Sequence, residues 1–217
     1  MGSLDQIAES IRCNFDQKSV ARERGLSLSR GVIRSSANAI RAIHWGEFEE
    51  AQRLIASARD AVSEAVDALE LHPDILYAGF IQDAQKEYAE ANITYAIIVG
   101  EELPSPEDLG VGYAAYLNGL GEAAGELRRY ALDELRRGHL ERSEEVLQAM
   151  DDIYGVLVTM DYPDAMTGGL RRTTDMVRGV LEKTRGDLTV AVRQRELEVA
   201  LHDLENKLGR GKGRSGN

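Results

Sequence analysis

Two pairs of glutamates have the residue type and spacing that a metal site requires. Glu87 and Glu90 lie three residues apart, and Glu122 and Glu126 lie four apart, in two segments with helical patterning. Residues at these spacings share one helical face, where like charges repel. Carboxylates without histidine or cysteine suit Mg²⁺ or Mn²⁺, which can activate water and stabilise phosphoryl transfer. The same acids could instead be solvated charges on helix surfaces.

The sequence contains no motif for the other common kinds of functional site. The single cysteine, Cys13, excludes an internal disulfide, and no Cys/His cluster has zinc-site spacing. The four histidines form no Glu-x-x-His pattern of the kind that di-iron bundles use. Gly119 and Gly121 fall within a helical pattern, so they form no nucleotide-binding loop between a strand and a helix. The paired glutamates are therefore the leading candidate site.

The composition indicates a single helical domain that is acidic as a whole. The chain has 217 residues, only 4 prolines and 3 phenylalanines, and a net charge of −11. This usage favours an all-α fold over a sandwich or barrel, and the acidity requires a locally basic surface for any nucleic-acid contact. The longest strongly apolar stretch, Ile93 to Val99, is too short to span a bilayer, and no signal peptide opens the chain. We expect a cytoplasmic protein without membrane contact.

Apolar residues repeat with the helical period along most of the chain. Three glycines inside one of these patterns, at 119, 121 and 125, predict that a neighbouring helix packs close to that backbone. We expect one domain over residues 1–208 and a disordered basic tail over 209–217. Besides a short opening helix within residues 1–14, the patterns predict helices over about 26–46, 48–69, 74–99, 106–138, 146–160 and 170–208. The helix over 106–138 is predicted to start with Ser105 as its N-cap and Pro106 at its first position.

Arginines are concentrated in local clusters. Arg22 to Arg41, Arg128-Arg129 and Arg171-Arg172 are examples. They could pair with the surplus acids of the chain. Alternatively, they could line a surface or cavity, where guanidinium groups bind phosphates through paired hydrogen bonds. Both interpretations stay open at the level of the sequence.

Several short motifs, in order, resemble the translin family, and its Trax branch most. The resemblance runs from about Arg22 to Leu208. It implies an all-α bundle of long antiparallel helices, about seven in number. It also implies an octameric shell that binds single-stranded RNA or DNA inside and has Mg²⁺-dependent endoribonuclease activity. The motifs are Leu26-Ser-Leu-Ser-Arg30, an arginine-bearing helix ending Ile43-His44, Lys86-Glu-Tyr-Ala-Glu-Ala91, Tyr116-Leu117-x-Gly119 and Gly125-Glu-Leu-Arg-Arg129.

The resemblance also assigns roles to individual residues. The glutamates of the family's Glu-Tyr-x-Glu motif correspond to Glu87 and Glu90, and that of its Gly-Glu-Leu motif to Glu126. The remaining acid, usually aspartate in the family, is Glu122 here, which keeps the charge but is one methylene longer. These four acids are the implied catalytic residues and ligands of Mg²⁺ or Mn²⁺. The implied phosphate contacts are three arginines that match family positions: Arg30, Arg34 and Arg129.

Two alternatives stay open beside this endoribonuclease. One is a non-catalytic oligomer that binds single-stranded RNA or DNA, as in the translin branch. A translin-like partner subunit is also compatible with the sequence of this one chain. The other is an all-α nucleoside-triphosphate pyrophosphohydrolase, which also opposes two acidic helices around Mg²⁺. Those enzymes require Glu-x-x-Asp on the second helix, whereas Glu122 and Glu126 lie four apart. We therefore favour a Trax-like, homo-oligomeric endoribonuclease.

Overall fold

Helices make up the regular structure of this chain. The computed structural model describes the backbone of residues 3–212 and the side chains of residues 3–207. That range contains no strand, which confirms the predicted all-α fold. Its helices are α1 (Leu4–Trp45), α2 (Phe48–Leu69), α3 (Pro73–Leu76), α4 (Gly79–Val99), α5 (Pro106–Leu109), α6 (Tyr113–Arg136), α7 (Leu140–Leu157), α8 (Asp164–Thr167) and α9 (Leu170–Lys212).

The structure corrects several predicted helix boundaries. α1 is one continuous helix of 42 residues, where the sequence predicted two separate helices. No proline interrupts it, and Gly25 is buried against Leu69 of α2 instead of forming a turn. The single helix predicted over 74–99 is wrong, because the extended backbone of Ala78 separates α3 from α4. The predicted N-cap Ser105 is confirmed, but it begins the single-turn α5, and the long helix predicted over 106–138 begins only at Tyr113.

The C-terminal boundary also differs from the prediction. α9 continues to Lys212, so residues 209–212 are helical, although they were predicted to begin a disordered tail. The two glycines in this stretch do not end the helix. The rest of the predicted tail, residues 213–217, lies outside the described residues.

The long helices pack around α4 and α6. α1 packs against α2 and α4, α4 packs against α6, and α6 packs against α7 and α9. Tyr88 and Ile93 of α4, Leu127 of α6, Met150 of α7 and Val177 of α9 are fully buried in the common core. Burial of a large apolar side chain contributes about 1.5–3 kcal/mol. The two helices that carry the candidate acids are therefore central and tightly constrained.

α6 packs very close to α4 at Gly119. A Cβ atom at this position would lie 2.7 Å from the carbonyl oxygen of Lys86 and 3.0 Å from the backbone nitrogen of Glu90. Gly121 is crowded in the same way by a side chain of α9, so the prediction of close packing is confirmed at these two glycines. The prediction is wrong at Gly125, where a Cβ atom would meet nothing within 4 Å. Close packing at Gly119 holds the acids of α4 against α6.

We expect Gly119→Ala to destabilise the protein by about 1–3 kcal/mol, because the added methyl group overlaps the backbone of α4. The matched change Gly125→Ala should instead stabilise it by up to about 1 kcal/mol, because alanine is the better helix former and the position is open. Urea unfolding of both variants measures the two changes in the free energy of unfolding. Wild-type stability in Gly119→Ala would contradict the close packing of α4 on α6.

Two long helices keep apolar stripes exposed. On α1, the side chains of Ile7, Ile11 and Phe15 are about half exposed or more. On α9, Leu201 and Leu204 are each 52% exposed. Neighbours in each stripe lie three or four residues apart, so each stripe follows one helical face. Within the described range, no helix has the length and apolar character to cross a membrane. Exposed apolar faces of this kind are typical of protein-protein contacts.

Candidate carboxylate site

Three glutamates from two helices converge near the middle of the fold. Glu87 and Glu90 project from α4 and Glu122 projects from α6, and one carboxylate oxygen from each lies within 4.8 Å of the others. Glu90 is buried, whereas the side chains of Glu87 and Glu122 stay 28% and 33% exposed. We call Glu87, Glu90 and Glu122 the carboxylate triad. The structure thus brings together three of the four predicted acids.

The surroundings of Glu90 disfavour its charged form. Burial raises the pKa of Glu90, and the negative charges of Glu87, Glu122 and Glu126 raise it further, to about 8 from an ordinary value of 4.5. A divalent cation interacts favourably with all of these carboxylates and opposes that shift. Oxygen donors at the site also match the preference of Mg²⁺ and Mn²⁺. In donor type and in charge, the carboxylate triad fits a hard divalent cation.

Lys86 brings a positive charge to the edge of the carboxylate triad. Its Nζ donates to Oε1 of Glu122 at 2.8 Å and lies 3.5 Å from Oε1 of Glu87. Partial burial disfavours the ammonium form, but the two carboxylates outweigh burial and raise the pKa of Lys86. Residue spacing carries no signal for this role, because Glu122 lies 36 residues away on another helix.

The fourth predicted acid, Glu126, lies beside the carboxylate triad but faces a histidine. Its Oε2 is 2.5 Å from Nε2 of His44, whose side chain is 2% exposed. This hydrogen bond is the main cause of a lowered pKa for Glu126. His44 comes from the end of α1, 82 residues away in the chain, so helical spacing did not predict the pair. The buried ring fixes the carboxylate of Glu126 in a charged form.

The predicted phosphate contacts differ in their relation to this site. Arg129 lies one turn beyond Glu126 on α6, with Nη1 4.0 Å from its Oε2, and 54% of the arginine side chain is exposed. It lines a cavity of about 410 Å³ together with His44. Arg30 and Arg34 lie on exposed positions of α1. Arg129 is therefore placed beside the carboxylates, whereas the roles of Arg30 and Arg34 stay predictions.

One stripe of α6 organises the site along its length. Asn118 and Glu122 line a cavity of about 690 Å³ near the start of α9, and Arg129 and Asp133 line the smaller cavity farther along α6. From Asn118 to Asp133 this stripe spans about 22 Å of helix. Along this stripe, Glu126 lies between the residues that line the two cavities. The layout combines cation-binding oxygens with basic groups along a line, which suits an extended polyanion.

Comparisons with known proteins identify relatives over most of the chain. An uncharacterised protein of Methanocaldococcus jannaschii is 30% identical over 204 residues, which cover 94% of this chain and 90% of that protein. The solved structure of AfC3PO in complex with duplex RNA is 35% identical, covers 87% of this chain and 97% of its own, and superposes with a TM-score of 0.82. No protein-family model matches the chain.

A more distant solved structure shares the fold. The crystal structure of apo-NeC3PO is 23% identical, covers 88% of this chain and 98% of its own, and has a TM-score of 0.72. At this identity the likeness concerns the arrangement of helices alone. The same helical architecture therefore extends well beyond sequences that are similar to this one.

Proposed function

Because this chain belongs to the translin family, we propose that it binds RNA in an oligomeric assembly and cleaves single-stranded RNA as a Mg²⁺-dependent endoribonuclease. The observation that carries the proposal is the convergence of Glu87, Glu90 and Glu122 on one point between two central helices. RNA binding is supported by the structure of AfC3PO, which is 35% identical and was solved with duplex RNA. The family motifs found in the sequence agree with both parts of the proposal.

Each residue of the site has a separate proposed role, which its charge and position determine. Mg²⁺ held by Glu87, Glu90 and Glu122 would supply an activated water molecule and stabilise negative charge on the phosphodiester. Glu90 has to give up its proton to serve as a ligand, because only the carboxylate form offers the needed charge. His44 keeps Glu126 ionised and oriented next to these ligands. Arg129, on the exposed side of Glu126, is positioned to pair with a phosphate oxygen.

The finer part of the proposal is an octameric shell of identical chains. The apolar stripe of α1 with Ile7, Ile11 and Phe15, and that of α9 with Leu201 and Leu204, support assembly through these two helices. Burial of such stripes between chains removes apolar surface from water, which drives association. A translin-like partner subunit could occupy the same surfaces in place of a second copy.

A non-catalytic RNA-binding oligomer is the second candidate, and two features of the site favour it. The ammonium group of Lys86 already neutralises part of the carboxylate triad through Glu122 and Glu87. A lysine in this position competes with a divalent cation for the same oxygens. In addition, Glu122 stands where the family usually has the shorter aspartate. Cleavage measurements separate the two candidates.

Cleavage of an end-labelled single-stranded RNA tests the proposed function. The purified protein is incubated with the RNA in Mg²⁺ or in EDTA, and a duplex of the same sequence serves as a second substrate. We expect internal cuts in Mg²⁺ that disappear in EDTA and in Glu122→Gln, while Glu144→Gln, which changes an exposed acid of α7, cuts like wild type. Intact but bound RNA would favour the non-catalytic oligomer. Release of pyrophosphate from nucleoside triphosphates would favour the pyrophosphohydrolase.

We expect Lys86→Gln to strengthen Mn²⁺ binding by about 10-fold, because it removes a competing positive charge from Glu122 and Glu87. Calorimetric titration with Mn²⁺ measures the change. Lys18→Gln is the matched control, because Lys18 pairs with Asp74, outside the carboxylate triad. Weaker Mn²⁺ binding in Lys86→Gln would show that the lysine supports the cation site instead of competing with it.

A further inference from the structure

The cavity of about 690 Å³ adjoins the carboxylate triad where α9 begins. Part of its wall is formed by Glu122 of the carboxylate triad and by Lys86, which pairs with Glu122. Arg171 and Arg172, in the first turn of α9, line the same cavity. The cavity therefore places Glu122, one member of the carboxylate triad, and the two arginines on one wall.

Both arginines have charges that the described side chains leave free. Neither guanidinium group of Arg171 and Arg172 forms an ion pair or a side-chain hydrogen bond within residues 3–207. Farther along the same helix, Arg178 and Arg185 do pair with aspartates, at 3.4 Å and 2.8 Å. The chain as a whole has a surplus of acid, with a net charge of −11. Both residues are exposed, so their guanidinium groups beside the cavity are available to an anionic ligand from outside.

Buried and partly buried hydrogen bonds hold the start of α9 in place. Thr173 Oγ1 donates to Oδ1 of Asn118 at 2.6 Å, and Nδ2 of Asn118 donates to the carbonyl oxygen of Thr167 at 2.8 Å. Gly168 and Gly169 turn the chain into α9 with φ values of 62° and 81°, which favour glycine. The positive end of the helix dipole adds to the charge of the two arginines. The arginines therefore stand on a backbone that is fixed before any ligand binds.

The cavity also has acidic groups, which limits where an anion can lie. Asp83 and Asp164 line it, so its total charge is not basic. Asp175 lines it as well, but pairs with Arg178. The anion-binding part is accordingly the region around Arg171 and Arg172. This restriction favours a ligand with charge at defined positions, such as a backbone of spaced phosphates.

We propose that Arg171 and Arg172 bind a phosphate group of the RNA, next to the phosphodiester that lies at the carboxylate triad. The proposal rests on the proposed function, because it takes the carboxylate triad as the point where the RNA backbone is cut. Glu122 belongs to both the cavity and the carboxylate triad. An RNA strand that lies in the cavity therefore also reaches the carboxylate triad. The two arginines then fix the register of the RNA relative to the cation site.

The salt dependence of RNA binding tests this assignment without any cleavage. A labelled single-stranded RNA is titrated in EDTA against the wild-type protein and the Arg171→Ala/Arg172→Ala variant at several salt concentrations. We expect the variant to bind about 10-fold or more weakly. Its slope of log affinity against log salt should be smaller by about 0.7, the loss of one phosphate contact. Arg185→Ala serves as the control, because Arg185 pairs with Asp151, and Arg171→Lys/Arg172→Lys should keep the wild-type slope.

Two further measurements accompany the salt titration. Mn²⁺ binding should be the same in the alanine variant and in wild type, which separates loss of the arginines from loss of the carboxylate triad. An unchanged salt slope in the alanine variant would overturn the proposal, whether or not the wild type cleaves RNA. Calorimetry with inorganic phosphate examines a free anion as ligand. Loss of phosphate binding without loss of RNA binding would also overturn the assignment to RNA.

Discussion

Glu90→Gln is expected to reduce RNA cleavage by about 100-fold or more while RNA binding stays close to wild type. Glutamine keeps the size of the side chain but removes the carboxylate that lies deepest in the carboxylate triad. A cation would then keep only Glu87 and Glu122 as ligands, and stabilisation of developing charge is typically worth this factor in rate. Single-turnover cleavage of end-labelled RNA at saturating protein measures the loss directly.

The control for this prediction is Glu144→Gln, which removes one exposed carboxylate from α7. It should leave both cleavage and RNA binding unchanged, because Glu144 is exposed and lies outside the carboxylate triad. Equal cleavage by Glu90→Gln and wild type would show that the carboxylate triad is not the catalytic centre. Loss of RNA binding in Glu90→Gln would instead assign Glu90 a structural role.

The stability of the protein in EDTA is expected to fall as pH rises from about 5 to about 8, because of Glu90. Its pKa in the folded protein is raised to about 8, whereas the unfolded chain has the ordinary value of 4.5. Between these values the folded protein keeps a proton that the unfolded chain has released. The free energy of unfolding therefore decreases with pH, by up to about 1.4 kcal/mol per pH unit from this group.

Comparison with Glu90→Gln isolates this contribution from those of other groups. Urea unfolding at several pH values gives the free energy of unfolding of both proteins as a function of pH. From pH 5 to pH 8, wild type should lose stability relative to Glu90→Gln, because the variant has no proton to release at this position. Added Mg²⁺ should flatten the wild-type curve, since a bound cation stabilises the charged carboxylate. Parallel curves for the two proteins would contradict a raised pKa for Glu90.

Much of the fold follows from local patterns in the sequence. The periodicity of α2 predicted its limits correctly, from Phe48 to Leu69. The breaks at Ala78 and before Tyr113 were missed, because the apolar stripe runs on across both links, although Gly79, Gly110 and Gly112 mark them as turns. The single course of α1 was also missed, because few apolar residues between Phe15 and Leu26 connect its two apolar stripes. Local residue spacing thus predicts that a segment is helical more reliably than it predicts where one helix ends and the next begins.

The candidate site was predictable only in part, for a related physical reason. Spacing along one helix places Glu87 and Glu90 on one face, and the same holds for Glu122 and Glu126. Contacts across helices depend on the packing of α4 on α6, which the residue spacing does not determine. For this reason the pairing of Glu126 with a histidine of α1 and the approach of Lys86 to the carboxylates emerge only from the structure.

Direct titration of the protein with Mn²⁺ tests the central claim, that the carboxylate triad is a divalent cation site. Electron paramagnetic resonance distinguishes bound from free Mn²⁺, and Mg²⁺ added afterwards should displace the bound ion. We predict saturable binding by wild type at pH 8 and weaker binding at pH 6, where Glu90 holds its proton. Glu90→Gln should bind Mn²⁺ weakly at both pH values, because glutamine resembles the protonated acid. Equal Mn²⁺ binding by wild type and Glu90→Gln at pH 8 would contradict the claim.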